Sequence, residues 1–122
     1  MTEHFSFEEL RCKCGCEVSD EIKKNLHHLA INLEKVRAYF GNRPIKVHSG
    51  YRCKYYNVKI RGARQSHHMN GEAADISIEG VTPKELKAGL NEMIDQGGIE
   101  QGGIGLYSKF VHYDYRGHKQ RW

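Results

Sequence analysis

A chain of 122 residues and 14.1 kDa has room for one hydrophobic core and no second. Its composition, 39% hydrophobic and 28% charged, excludes a disordered polypeptide, and no stretch approaches the roughly 20 apolar residues of a membrane span. The net charge of +4 favours approach to an anionic polymer such as nucleic acid or bacterial wall, but the basic residues are scattered and read as a solvated mixed surface.

The opening residues, MTEHFSFEEL, lack a basic stretch followed by an apolar one. The expectation is cytoplasmic synthesis without a signal peptide, with action on the cell wall only after release by another agent. Cys12, Cys14 and Cys16 follow as C-x-C-x-C, and Cys53 stands alone beyond them. A disulfide from the N-terminal group to Cys53 and a four-thiolate zinc site are both compatible with this arrangement, although C-x-C is not the usual C-x-x-C knuckle. Free thiols are the default for a cytoplasmic chain, and the spacing leaves the three states open.

Ser19 is suited to cap a helix whose first turn carries Asp20 and Glu21. Ile22, Leu26, Leu29, Leu33, Val36 and Phe40 recur at three- and four-residue steps, which predicts an amphipathic helix of about five turns ending at Gly41. Pro44 opens a short strand, IKVHSGYR, with Ile45 and Val47 on one face and Lys46 and His48 on the other. Residues 53 to 69 read as loop with a helical turn, and AADISI, residues 73 to 78, as a second strand. Thr82, Pro83 and Glu85 mark a helix start, with Leu86, Leu90 and Ile94 on its buried side and Gly97-Gly98 at its end. GGIGLY and FVHYDYR, joined by Ser108-Lys109, predict an antiparallel hairpin. The fold class expected is α+β: a small, mostly antiparallel sheet with helices packed on it, one domain spanning 1–122 and including the cysteine segment 1–18.

The strongest chemical signal is Ser66-His67-His68-Met69-Asn70-Gly71-Glu72-Ala73-Ala74-Asp75. It sets an imidazole seven residues before a carboxylate on an apolar strand, and two histidines with one carboxylate suit catalytic zinc with a position left for water. Gly71 and the two alanines are read as letting the backbone pass close behind the metal. His112 and Asp114 lie two apart on a strand, so both point to one face, and they supply the missing third ligand.

These segments together resemble the zinc D-Ala-D-Ala carboxypeptidase family of murein peptidases, and in particular its short phage-endolysin-like members. The resemblance rests on FSFEELRCKCGC, SGYRC, the S-x-H-x-x-G-x-A-x-D pattern of SHHMNGEAADI, GIGLY, and the H-x-D-x-R of FVHYDYRGHKQRW. It implies one catalytic Zn2+ held by His68, Asp75 and His112, and Arg52 near the scissile carbonyl or a terminal carboxylate. Asp114 is the expected general base. In the other register Asp114 binds zinc and His112 is the acid–base group. Ser66 and His67 are candidates for substrate contact or for supporting the ligands.

The implied activity is hydrolysis of an amide bond in peptidoglycan stem peptides, as a D-Ala-D-Ala carboxypeptidase or an L-Ala–D-Glu-type endopeptidase. The implied setting is a phage or prophage endolysin that is monomeric, binds no nucleic acid and does not insert into membranes. The alternative is a non-catalytic wall-binding module on the same fold. A small basic nucleic-acid binder is disfavoured, because neither a recognition helix nor an aromatic-basic stripe is present.

Overall fold

The computed structural model describes residues 1–122. In chain order it contains α1 (Phe7–Leu10), α2 (Asp20–Tyr39), β1 (Ile45–Ser49), α3 (Lys54–Lys59), a 3-10 turn (His67–Asn70), β2 (Ala73–Ile78), α4 (Pro83–Asp95), β3 (Gly103–Leu106), β4 (Val111–Asp114) and β5 (Gln120–Arg121). The five strands form one sheet in the order β1-β2-β4-β3-β5. Every pairing is antiparallel except β3 with β5. The expected α+β domain with a mostly antiparallel sheet is the fold observed.

The long helix begins where its cap predicts, with the Ser19 side chain accepting from the Ile22 amide. Leu26, Leu29, Leu33 and Val36 are fully buried on one stripe, each burial stabilising by about 1.5–3 kcal/mol. α4 starts on a full capping box between Thr82 and Glu85, with Pro83 at its first position. A second capping box, Ser6 with Glu9, opens α1 inside a segment that hydrophobic periodicity left unassigned.

The alternation of the strands divides the sheet into two functional faces. Ala74, Ile76, Ile78, Ile104, Val111 and Tyr113 face the helices and join Leu26, Leu29, Leu33, Leu86 and Leu90 in one core. The opposite face carries Asp75, His112 and Asp114. Register brings the polar row together: Ser49 pairs with Asp75, Asp75 with His112, and His112 with Gly105. A shift in register between Val47 and Ser49 bends β1 just before the Gly50 loop.

Three local features differ from the sequence reading. Residues 53 to 69 hold a real helix, α3, capped by the Cys53 side chain. The hairpin linker runs from Tyr107 to Phe110, closed by the Tyr107 amide donating to the Phe110 carbonyl. Gly71 adopts φ +73° at the end of the 3-10 turn, where an added Cβ would lie 3.1 Å from Ile22 of α2. Its smallness therefore serves the left-handed turn and the helix behind it, not clearance for a metal.

At Gly50 the β1–α3 loop crosses the N-terminal segment with almost no space between backbones. A Cβ there would lie 2.5 Å from the Leu10 carbonyl oxygen, and the neighbouring Tyr51 amide donates to that same oxygen at 2.7 Å. Because backbone atoms cannot swing aside, Gly50→Ala is expected to destabilise the protein by about 1–3 kcal/mol, measured by denaturant unfolding. A change within about 0.5 kcal/mol would show that the crossing can relax.

Candidate active site

His68 comes from the 3-10 turn, Asp75 from the middle of β2 and His112 from β4, and all three are buried. Ser66 caps the turn, its hydroxyl accepting from the His68 amide at 3.1 Å, which fixes the start of the His68 side chain. The three ligand atoms lie within 4.8 Å of one another. His68 Nε2 and His112 Nδ1 each stand 3.2 Å from the same oxygen, Asp75 Oδ1.

The far nitrogen of each imidazole determines what the near one can be. His68 Nδ1 lies 2.7 Å from the Gly50 carbonyl oxygen, which can only accept, so the proton is on Nδ1. His112 Nε2 lies 2.7 Å from Asp114 Oδ2, and an ionised carboxylate likewise only accepts. In the neutral rings, His68 Nε2 and His112 Nδ1 are therefore bare lone pairs, both aimed at a carboxylate oxygen. Three acceptors facing one another repel unless a proton or a cation sits among them. The outward N–H bonds to a carbonyl and a carboxylate are the arrangement that metal-binding histidines adopt. Two imidazoles and a carboxylate are also a donor set suited to zinc. The group fits a metal site.

Asp114 takes no part in that convergence. Its side chain is completely buried and receives five donors: the Gly103 and Arg116 amides and Arg116 Nε on Oδ1, and Arg116 Nη2 and His112 Nε2 on Oδ2. Burial opposes ionisation, but His112 and the bidentate Arg116 outweigh it and hold the carboxyl well below the usual carboxylate range. Asp114 does not line the cleft.

Arg52 is held on three sides, by Ser49 Oγ at 3.0 Å, Asn57 Oδ1 at 3.3 Å and Asp75 Oδ2 at 3.2 Å. Three of its five N–H donors are thus engaged, leaving two for the cleft it lines. His67 also lines the cleft, with Nδ1 3.1 Å from Glu72 Oε1. The cleft measures about 650 Å³. Arg52, Arg61 and Arg116 give it positive charge, and Tyr107, Phe110 and Trp122 give it an aromatic wall. The Tyr107 and Phe110 rings stack at 4.7 Å, and the Trp122 ring sits 5.0 Å from His112 with Nε1 donating to the Tyr107 hydroxyl.

Several of these residues carry no sequence signal. Asn57 is buried to hold Arg52 and Ala63, inside a run, KYYNVK, that reads as an ordinary helix. Gly105 is needed because a Cβ there would meet Trp122 at 2.5 Å. Arg116 does belong to the H-x-D-x-R pattern, but its grip on Asp114 emerges only from the geometry. His48, on the strand leading to Arg52, turns to Ser77 and stays out of the cleft.

A family model described as peptidase M15 matches residues 3–114. The chain belongs to the peptidase M15 family. This M15 chain is also 34% identical over 91 residues to the peptidoglycan L,D-endopeptidase MepK of Escherichia coli strain K12, and to the MepK of Shigella flexneri to the same extent. Each match takes in 67% of this chain and 46% of the relative, so the chain spans about half the length of the curated relatives it matches.

The electrostatics give a pH signature of opposite sign with and without metal. Burial disfavours the His112 imidazolium, but bonds to Asp114 and Asp75 outweigh it and raise the pKa. That stabilisation is complete below the unfolded value of about 6.5 and is lost as pH rises through the raised folded value. Asp75 and Asp114 are both depressed, so their contribution is lost only in strong acid and is constant near neutrality. Burial pushes the His48 imidazole the other way, so the His112 contribution is read as a difference. In chelator-treated protein the stability lost on His112→Asn is expected to be larger at pH 6 than at pH 8 by denaturant unfolding. Zinc affinity should run the opposite way and be weaker at pH 6, because protons compete with metal for the imidazoles. A loss on His112→Asn that grows from pH 6 to pH 8 in the metal-free protein would contradict the arrangement.

Proposed function

We propose that the chain is a zinc-dependent peptidase that hydrolyses an amide bond within the stem peptides of peptidoglycan. The observation that carries this reading is the buried meeting of His68 Nε2, His112 Nδ1 and Asp75 Oδ1, three lone-pair donors converging on one point when both imidazoles are neutral. Zinc bound there would supply Lewis acidity and an activated water at neutral pH.

The chain's own residues take the remaining roles. Arg52, pinned by Ser49, Asn57 and Asp75, presents its two free N–H groups to a carbonyl oxygen or a carboxylate of the peptide. Gly50 holds the proton on His68 Nδ1, and Asp114 holds it on His112 Nε2, which keeps both rings in the tautomer that binds metal. Arg116 locks Asp114 in turn. In this reading Asp114 is a positioning residue for His112 and not the general base the sequence suggests, because all of its lone pairs are occupied away from the cleft. His67 and Ser66 stand at the cleft edge, where His67 is suited to contact substrate and Ser66 to fix the ligand turn.

The arginines suit the carboxylates of stem peptides, and the aromatic wall suits their aliphatic side chains. The relatives' reaction, named as that of an L,D-endopeptidase, makes an internal cut the first bond to test, ahead of removal of a terminal D-Ala.

Purified protein incubated with muropeptides of defined stem length, with zinc and with a chelator, is expected to release a fragment identifiable by mass only in the first case. No cleavage of any stem peptide in zinc would sink the proposal. Asp114→Asn separates the two roles of that carboxylate. Acting through His112, it should weaken zinc affinity by about 10–100-fold and recover much of its turnover at saturating zinc. Unchanged zinc affinity with turnover reduced by about 10²–10⁴-fold would restore the base assignment.

A further inference from the structure

The four cysteines play no part in the site above, yet the fold gathers all of them. The Cys12 and Cys14 sulfurs are 3.3 Å apart, Cys12 and Cys53 3.7 Å, and Cys14 and Cys53 3.6 Å. Cys16 completes a set whose sulfurs all lie within 4.8 Å of one another. Thiolates bound at about 2.3 Å to a tetrahedral ion sit about 3.8 Å from each other, close to the spacing found. A disulfide joins one pair at about 2.05 Å and gives no reason for a third and a fourth sulfur to gather beside it.

We propose that Cys12, Cys14, Cys16 and Cys53 form a second, structural zinc site, with four thiolates around one ion. The turn that permits it is written in the spacing. Extended C-x-C-x-C would set its three cysteines on one face but about 6.6 Å apart along it, too far for one ion. The Gly15 amide donates to the Cys12 carbonyl at 3.0 Å and Gly15 adopts φ +76°, closing a tight turn that draws the sulfurs together. Backbone amides already point at the sulfurs: Cys53 N–H at Cys12 Sγ and Tyr56 N–H at Cys53 Sγ, both at 3.4 Å. Arg11 clamps the loop by donating to the Gly15 and Cys16 carbonyls, and Lys13 and Lys54 stand next to cysteines in sequence. On loading, each thiol gives its proton to solvent and each sulfur donates a pair to the ion, with no change of oxidation state.

The site would tie the N-terminal segment to the residue directly after Arg52. Gly50, whose carbonyl sets the His68 tautomer, lies three residues before Cys53. One thiolate centre would thus anchor the loop that supplies both supports.

Elemental analysis of zinc-replete protein is expected to give two zinc ions per chain. His68→Ala/His112→Ala should retain one, and Cys12→Ser/Cys16→Ser should retain one. Cobalt substituted into the histidine double variant, which keeps every cysteine, should show the strong thiolate-to-metal charge-transfer absorption of a sulfur-bound ion. That measurement decides the matter even if the cysteine variant fails to fold. Absence of the thiolate band, four thiols that react freely with a thiol reagent in the native metal-replete protein, or a disulfide detected after alkylation without reductant would each overturn the proposal. Muropeptide cleavage is read separately, so failure of the thiolate site and failure of the peptidase reading are distinct results.

Discussion

The site depends on the register of β2 against β4. Asp75 stands directly opposite His112, and its oxygen meets both imidazoles only in that pairing. The side-chain period of a strand is two, so a slip of one residue would turn Asp75 into the core and bring Ile76 or Ala74 to the metal face. The same register seats Ile76 opposite Val111 and Ala74 opposite Tyr113 on the helix side. Hydrophobic burial on one face therefore fixes the electrostatics of the other. A core of ordinary aliphatic packing holds together three groups that repel one another when the imidazoles are neutral and no cation sits among them.

The polar groups are organised in shells around that meeting point. Gly50 and Asp114 each accept a hydrogen bond from an imidazole N–H, Arg116 and the Gly103 amide hold Asp114, and Arg52 braces the second oxygen of Asp75. Buried carboxylates would be costly alone, and here each has a cationic partner or several N–H donors. Such saturation limits chemical versatility. A carboxylate with every lone pair engaged is a strong positioning group and a poor acceptor for a further proton.

Much of this was legible in the residues. The Ser19 and Thr82 caps, the stripe of leucines and the AADISI strand are local signals, each set by a few neighbours, and the structure follows them closely. The sequence also holds Ser66 through Asp75 and the later His112, and the fold brings the three ligand candidates within reach of one another. What it does not reveal are contacts between distant segments. Neither the Gly103 amide that donates to Asp114 from the neighbouring strand nor Trp122 lying over Gly105 has a short-range pattern. Asp114 and His112 share a face on any reading of the strand, but only the tertiary positions of Arg116 and Gly103 decide which of them looks into the cleft. The edge strand β5, two residues long and paired in parallel, is likewise a product of packing and not of propensity.

The crossing of Gly50 over Leu10 bears on how small such a catalytic unit can be. The chemistry-bearing residues begin at Arg52, which invites a minimal enzyme made by trimming everything before the long helix. Yet Leu10 buttresses the very peptide whose carbonyl orients His68. The first turn of helix in this chain thus braces the loop behind His68, and a boundary drawn along the sequence would remove a support of the site.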